Sequence, residues 1–507
     1  MPKDSDLQPI LTAFQAKAGL TGLDHEFKYR GDGDALVIYV AHPSERLFSA
    51  LDSIIEAMPT PEKYRGRVLL SKRRTTRGLQ SPEIKLLQTT IAGSLNVNKY
   101  TFAEDFFSRY TKSVSGAEQQ ITSPANNVVF GRRGAGKSSL LLYALHCRSR
   151  EGKASAWVDM QVYQGRSDNK VIVEVFWDIV QQAQTLFTQS SLDEVEVQQS
   201  LKNLRANVNL NDDEIRLILP SIRRLFAKAA EKGHNFVVFL DDFHVLARDL
   251  QPKLLGHLYG VSRGNRVYLK LSAIETLTRT WDLHSHTGLE IPQDATTIKL
   301  DYNLTIPDKA SQHITSILDA HAQYSGLASV RSICTNEDVL RRLVWVSAGV
   351  PRDALSIFAQ AITKGALAGQ KRVSITNINV AASETVSQKL RDLDVDAPNS
   401  QRSGLQEAME AIKEFCVKKS KINAFLVKIA SEDDLYKTTL ELIDLRLLHV
   451  ISEGISVKEA GRKYLALILD YGFYTGIRAA QSVDLFNKDM GRISYKELRR
   501  LPILSKL

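Results

Sequence analysis

The sequence predicts an α/β protein. A parallel sheet covered by helices on both faces is preceded by a small α/β region and followed by a helical segment and a smaller C-terminal domain. Three observations predict this. Between about residues 100 and 305, continuous apolar runs suited to buried strands alternate with amphipathic helices, which is the pattern of a parallel sheet. A glycine-rich loop follows the first of those runs and leads straight into a helix. After Pro307 the strands stop and helical periodicity takes over.

Taken in order, residues 1–95 form a leading region. Residues 34–41 (DALVIYVA) read as a buried strand, and 43–58 as an amphipathic helix with Leu47, Leu51, Ile54 and Ile55 on one face. A basic stretch comes next, with Lys63, Arg65, Arg67, Lys72, Arg73, Arg74 and Arg77. It suits either a solvated loop or hairpin, or a patch for phosphate backbones. Residues 96–305 hold the sheet, with strands at 127–130, 154–160, 236–240, 267–274 and 296–300. The intervening helices fall at 137–147, 171–187 and 214–230, and 191–213 is a helical insertion. Residues 306–395 are helical at 308–323, 336–347, 352–367 and 376–391. The polar run 392–404, with Pro, Ser and Gly, reads as a linker. A domain at 405–480 and a tail at 481–507 complete the chain.

Composition agrees with a folded, multidomain chain. At 507 residues, three domains of roughly 150 residues each are expected. Hydrophobic residues are 43% and charged residues 24%, which excludes wholesale disorder. The net charge of +9 is compatible with an anionic partner, but it is spread over a long chain. Cys147, Cys334 and Cys416 lie far apart with no zinc-ligand spacing, as expected in a reducing cytoplasm. The N-terminus shows no signal pattern, and the apolar run near Tyr464 is too short for a membrane span and contains Asp470. A cytoplasmic protein without membrane contact is the expectation.

Residues 131–138 read GRRGAGKS, a full match to the phosphate-binding P-loop G-x-x-x-x-G-K-[ST]. Glycines let backbone N–H groups turn inward around phosphates, and the helix that follows offers its positive end to an anion. The binding set is Gly131, Gly134, Gly136, Lys137, Ser138 and Ser139. Lys137 should reach the β- and γ-phosphates of ATP, and the Ser138 hydroxyl should ligate Mg²⁺. About 100 residues on, 236–242 read FVVFLDD, an apolar strand ending in two acids. Asp241 is placed to hold the metal, and Asp242 to polarise the attacking water. The competing reading is that the two acids only cap the next helix. An Asp where Glu is usual is one methylene shorter, so hydrolysis is a separate question from binding.

Residues 405–480 read as a winged helix. Helices at 405–417 and 435–447 precede a short strand at 449–451, a Ser452-Glu453-Gly454 turn, and a strand or helix at 462–469. Lys418, Lys419, Lys421, Arg446, Lys458, Arg462 and Lys463 are available for phosphates, although the second helix is acidic as well as basic.

Together, NNVVFGRRGAGKSSLL, FVVFLDDFHVL and AGVPRDAL resemble AAA+ and STAND-type ATPases of the origin-recognition-like branch, bacterial proteins of that type included. The resemblance covers residues 100–480. It implies a P-loop NTPase core, a helical lid and a C-terminal winged-helix domain, with the small α/β region at 1–95 lying outside it. It also implies three further roles. A sensor at the end of the fourth strand falls on Ser272, in place of the usual Asn, with Glu275 just beyond. A lid arginine falls on Arg352, in Gly349-Val350-Pro351-Arg352, and joins Lys137 and Asp242 as the third catalytic residue. An arginine finger offered to a neighbouring subunit falls among Arg279, Arg263 and Arg266. Three functions follow, in order of weight. The first is an ATPase switch whose nucleotide state sets its assembly with itself or a partner protein; bacterial members of this kind often serve anti-phage defence or mobile-element modules. The second is a DNA-binding ATPase of replication-initiator or loader type, using the winged helix or the basic N-terminal stretch. The third is a low-turnover nucleotide-binding scaffold for a partner enzyme. His244 and His449, each among apolar residues, read as structural.

Overall fold

The computed structural model describes residues 6–30, 33–74, 77–187, 192–207, 210–300, 307–396, 399–430, 433–457, 462–475, 486 and 493–506. The chain divides into two compact units. One comprises residues 97–107 and 112–301, and the other takes in the remainder.

The second unit in chain order carries the sheet. Its strands are β4 (Asn127–Phe130), β5 (Ser155–Asp159), β6 (Phe236–Asp241), β7 (Val267–Ala273) and β8 (Thr296–Lys299), numbered after three strands in the leading region. They lie in the order β8-β4-β7-β6-β5, and every pairing is parallel. Alternation along the strands divides the side chains between two cores. Val128, Phe236, Val238 and Leu240 enter one cluster; Val129, Val237, Phe239 and Ile298 enter the other. The first core is closed by helices Lys170–Gln182, Leu192–Ala206, Asp212–Glu231 and Leu250–Ser262, the second by Lys137–Arg150. The helix from Asp212 starts on a capping box, in which Asn211 accepts from the Glu214 N–H and the Glu214 carboxylate takes the Asn211 N–H. The five strands and their helices fall within a few residues of the sequence expectation. The strand order has one consequence for the site: β4 and the acid-bearing β6 are not neighbours, because β7 runs between them.

The other unit begins with helix Gln8–Ala18 and strands β1 (Asp24–Arg30), β2 (Gly33–Val40) and β3 (Val68–Lys72). β1 and β2 form an antiparallel hairpin, and β3 joins β2 in parallel after the amphipathic helix Glu45–Glu56. The basic stretch thus contains the third strand of this sheet, and most of its charge is spent locally. Lys63 and Arg67 pair with Asp6, Arg65 with Glu56, and Arg73 and Arg77 with Asp24. Residues 82–94 depart from the expected boundary. Helix Pro82–Ser94 buries Ile84, Leu87 and Ile91 in the same core as the lid helices Pro307–Tyr324, Asp338–Val346, Pro351–Leu367 and Ile375–Asp396.

The polar linker expected at 392–404 is replaced by helix. Ile375–Asp396 and Asn399–Glu414 occupy its described residues. Polar composition does not by itself break a helix, and Gly404 is carried inside the second helix at the modest cost of an interior glycine; Pro398 lies outside the described residues. The C-terminal domain then runs helix, strand β9 (Ala424–Lys428), helix Asp434–Asp444, and the hairpin β10 (Leu448–Ser456) and β11 (Lys463–Leu469). This is a winged-helix order, with a strand between the helices that the sequence reading missed. The expected tail contributes β12 (Ile503–Leu504), which pairs in parallel with β9, so the domain extends to the end of the described chain. Lys458 lies outside the described residues. Among the described residues, no helix is long and apolar enough to cross a membrane.

Candidate nucleotide site

Residues 131–136 connect β4 to the helix Lys137–Arg150 at the C-terminal edge of the sheet, where ligands of open α/β sheets bind. Gly134 (φ 81°) and Gly136 (φ 96°) adopt left-handed backbone that a side chain would resist. Gly131 is needed for space, since a Cβ there would sit 3.1 Å from that of Ala135 and 3.4 Å from that of Leu300. Lys137 is buried, and its Nζ donates to the Arg132 carbonyl at 3.2 Å. Ser138 and Ser139 follow in the first helical turn, both half-buried.

The acids of β6 meet this loop through hydroxyls. Ser138 Oγ donates to Asp241 Oδ1 at 3.0 Å, and Ser272 Oγ donates to the same oxygen at 2.5 Å. Ser272 also accepts from the Asp242 N–H at 2.8 Å. Its position follows from the strand order: β7 lies between β4 and β6, and Ser272 sits near the C-terminal end of β7. Burial raises Asp241 to about 6; the Asp242 charge adds to this, the hydrogen bonds from Ser272 and Ser138 oppose it, and the Asp159 charge contributes a smaller increase. Asp242 leaves the strand in a left-handed conformation (φ 53°), uncommon for a residue with a side chain. Its Oδ2 accepts from Gln161 Nε2 at 3.3 Å. The two acids do not cap a long helix. Only the three-residue turn Phe243–Val245 follows, and no side-chain cap bond forms.

The site fits Mg²⁺ in its chemistry. A serine hydroxyl and a buried carboxylate, the oxygen donors a hard cation takes, share a hydrogen bond beside a P-loop. Gln161 is the residue that sequence reasoning missed. The available signal was its place just beyond the end of β5, where Asp159 lies opposite Asp241 in the register. His244 is buried, and desolvation lowers it to about 4, so it is neutral at pH 7.

The other expected residues fall elsewhere. Glu275 is held by Lys299 at 2.8 and 3.0 Å. Arg279 is committed within its own chain to Asp282 at 2.6 Å and Asp249 at 3.3 Å, whereas Arg263 and Arg266 are exposed. Arg352 lies in the other compact unit, exposed at the second residue of helix Pro351–Leu367. In the C-terminal domain Arg446 is not available to phosphates, because it pairs with Asp353 of the lid. Helix Asp434–Asp444 carries Asp434, Glu441 and Asp444 against Lys437 alone.

A parallel sheet with a P-loop after its first strand and paired acids two strands away defines the P-loop nucleotide-binding class. Residues 117–270 match the AAA ATPase domain family. A search of curated proteins found no match. Among solved structures, the chain is similar to ORC2 of Aeropyrum pernix in ADPNP and ADP complexes, with 16% identity, 73% of this chain and 91% of that chain covered, and a TM-score of 0.34. It is similar to ORC1 of Aeropyrum pernix in complex with DNA, with 12% identity, 76% and 95% covered, and a TM-score of 0.39. A Walker-type ATPase of Pyrococcus abyssi gives 14% identity, 74% and 99% covered, and a TM-score of 0.42.

Proposed function

We propose that the protein is an ATP-dependent switch that binds Mg²⁺-ATP at residues 131–139 and hydrolyses it. The observation that supports this best is the hydrogen-bonded line Ser138–Asp241–Ser272–Asp242 at the mouth of a P-loop. Backbone N–H groups of the loop and the Lys137 ammonium hold the β- and γ-phosphates. Ser138 and Asp241 hold Mg²⁺, which when bound withdraws charge from the phosphate oxygens. Ser272 fixes Asp241 by donation and Asp242 through its N–H, leaving the Asp242 carboxylate to orient and deprotonate water. The resemblance read from the sequence gives Arg352 the role of γ-phosphate reader, and nucleotide state sets assembly with a second copy or a partner protein. By the resemblance read from the sequence, the pathway is anti-phage defence or a mobile-element module.

Lys137→Ala should weaken ATP binding about 10- to 100-fold, since it removes a charged hydrogen-bond donor worth roughly 1.5–3 kcal/mol. Asp242→Asn should keep ATP bound and lower turnover by about 100-fold or more. Calorimetric titration and phosphate release measure the two; unchanged affinity in the first variant defeats the proposal, and unchanged turnover in the second removes Asp242 from its role. The replication-initiator reading keeps support from the exposed Lys419 and Lys421 and loses support from Arg446.

A further inference from the structure

A cavity lies within the unit that carries the leading region and the lid. Its volume is about 760 Å³, inside the range of small-molecule sites. One wall is the loop after β3, and the other is formed by the lid loops 332–335 and 370–374. The walls are fixed by close packing rather than by charge. A Cβ on Gly78 would meet the Lys371 Cα at 3.1 Å, and one on Gly365 would meet Leu79 at 2.6 Å. The two lid loops are tied by backbone hydrogen bonds, Val373 to Ile333 at 2.8 Å and Thr335 to Val373 at 2.9 Å.

Five cations line this cavity, and the described lining residues include no carboxylate. Two of the five are spent. Arg73 is bound by Glu83 and Asp24, and Arg77 by Asp24. Lys72, Lys371 and Arg372 are exposed at the cavity and have no ion pair among the described residues. Like charges gathered on a preformed cavity repel one another unless an anion joins them. Two helices also begin there. Ser81 caps Pro82–Ser94, and Ser374 precedes Ile375–Asp396; both serines line the cavity, and the positive ends of the helix dipoles add to the field. Beneath the cations, Ile84, Leu327 and Ile333 supply an apolar floor.

We propose that this cavity binds a phosphate-bearing small molecule of nucleotide size, at a site distinct from the P-loop. The cations and helix starts take the phosphates, and the apolar floor takes a ring or other apolar group. A nucleic-acid backbone would use the cations and leave that floor empty.

Inorganic pyrophosphate titrated calorimetrically into the full chain carrying Lys137→Ala tests this, because that variant removes the P-loop lysine. Pyrophosphate should bind, and adding Lys371→Ala and Arg372→Ala should weaken binding at least tenfold. Both residues are exposed, so the melting temperature should stay unchanged. The Lys371→Ala/Arg372→Ala pair alone should leave ATP affinity as in the parent chain. Absence of pyrophosphate binding, or binding indifferent to the two substitutions, overturns the proposal. So does a short DNA duplex that depends on Lys371 and Arg372 when pyrophosphate does not.

Discussion

Ser272 shows how a single hydroxyl organises a site. It has one proton to donate and gives it to Asp241, while its lone pair takes the Asp242 N–H. The resemblance places a nucleotide sensor here, usually an Asn. An amide has donors left over for a phosphate after such contacts, and a serine does not. In the structure the Ser272 hydroxyl is engaged by the two acids. Ser272→Ala leaves a buried carboxylate with one donor fewer and a backbone N–H without its acceptor, at a cost of about 1–3 kcal/mol. Turnover should fall about tenfold with ATP affinity largely retained, as measured by KM against kcat. Ser272→Asn should restore part of the rate if the lost donors are what matters. Equal activity of Ser272→Ala and the parent would show that the acids need no bridge.

At the scale of elements, the lid and the C-terminal domain are joined by a buried charge cluster. Asp353, in the first turn of Pro351–Leu367, binds Arg446 and lies 3.3 Å from Lys389. Lys389 also meets Asp470 at 3.0 Å, and Asp470 in turn takes His449 at 3.0 Å. His449, read from sequence as structural, is thus a member of this cluster. Removing one member strands the others, so Asp353→Ala should cost about 3–5 kcal/mol. The cluster also sets a pH window. Burial pushes Asp470 up, but Lys389 and His449 outweigh it and hold the carboxyl well below its ordinary range. Its stabilisation is present above the unfolded carboxylate value of about 4 and is lost as pH falls below it. Burial pulls Lys389 down, but Asp470 and Asp353 outweigh it and leave the ammonium raised. Its stabilisation is present below the unfolded value of about 10.4 and is lost as pH rises through the raised folded value. Melting followed by circular dichroism should show a plateau between these limits that Asp353→Ala lowers. A variant with the parent's plateau would show the cluster to be neutral.

At the scale of the molecule, the +9 charge is less available than its size suggests. The basic stretch pairs with Asp6, Asp24 and Glu56, Arg446 pairs with Asp353, and the helix Asp434–Asp444 is mostly acidic. Duplex binding should therefore be weak at low salt and gone by about 200 mM, since few phosphates are neutralised. Tight binding at that concentration would favour the initiator reading. Native mass should rise when Mg²⁺-ATP is added and stay at the monomer value for Lys137→Ala; a mass indifferent to nucleotide would remove assembly from the proposed switch.

The parallel core was legible because its signals are local. Apolar runs ending in glycines or acids place β4, β6 and the P-loop without any long-range knowledge, and helical periodicity places the lid. The sequence alone singled out the candidate residues for phosphate chemistry: Gly131, Gly134, Gly136, Lys137, Ser138, Asp241 and Asp242. Pairings between distant residues were not legible, because charge in a sequence carries no partner. Only the tertiary structure placed β7 between β4 and β6, and so made Ser272 a bridge. It also paired most of the basic stretch with carboxylates, made helix of the described residues of the 392–404 linker, and carried Ile503 and Leu504 back to β9. Lys72 comes to line the same cavity as Lys371 and Arg372, some 300 residues away in sequence, by the same route. Strand order and burial decide which charges meet, and neither is written in any short segment of the chain.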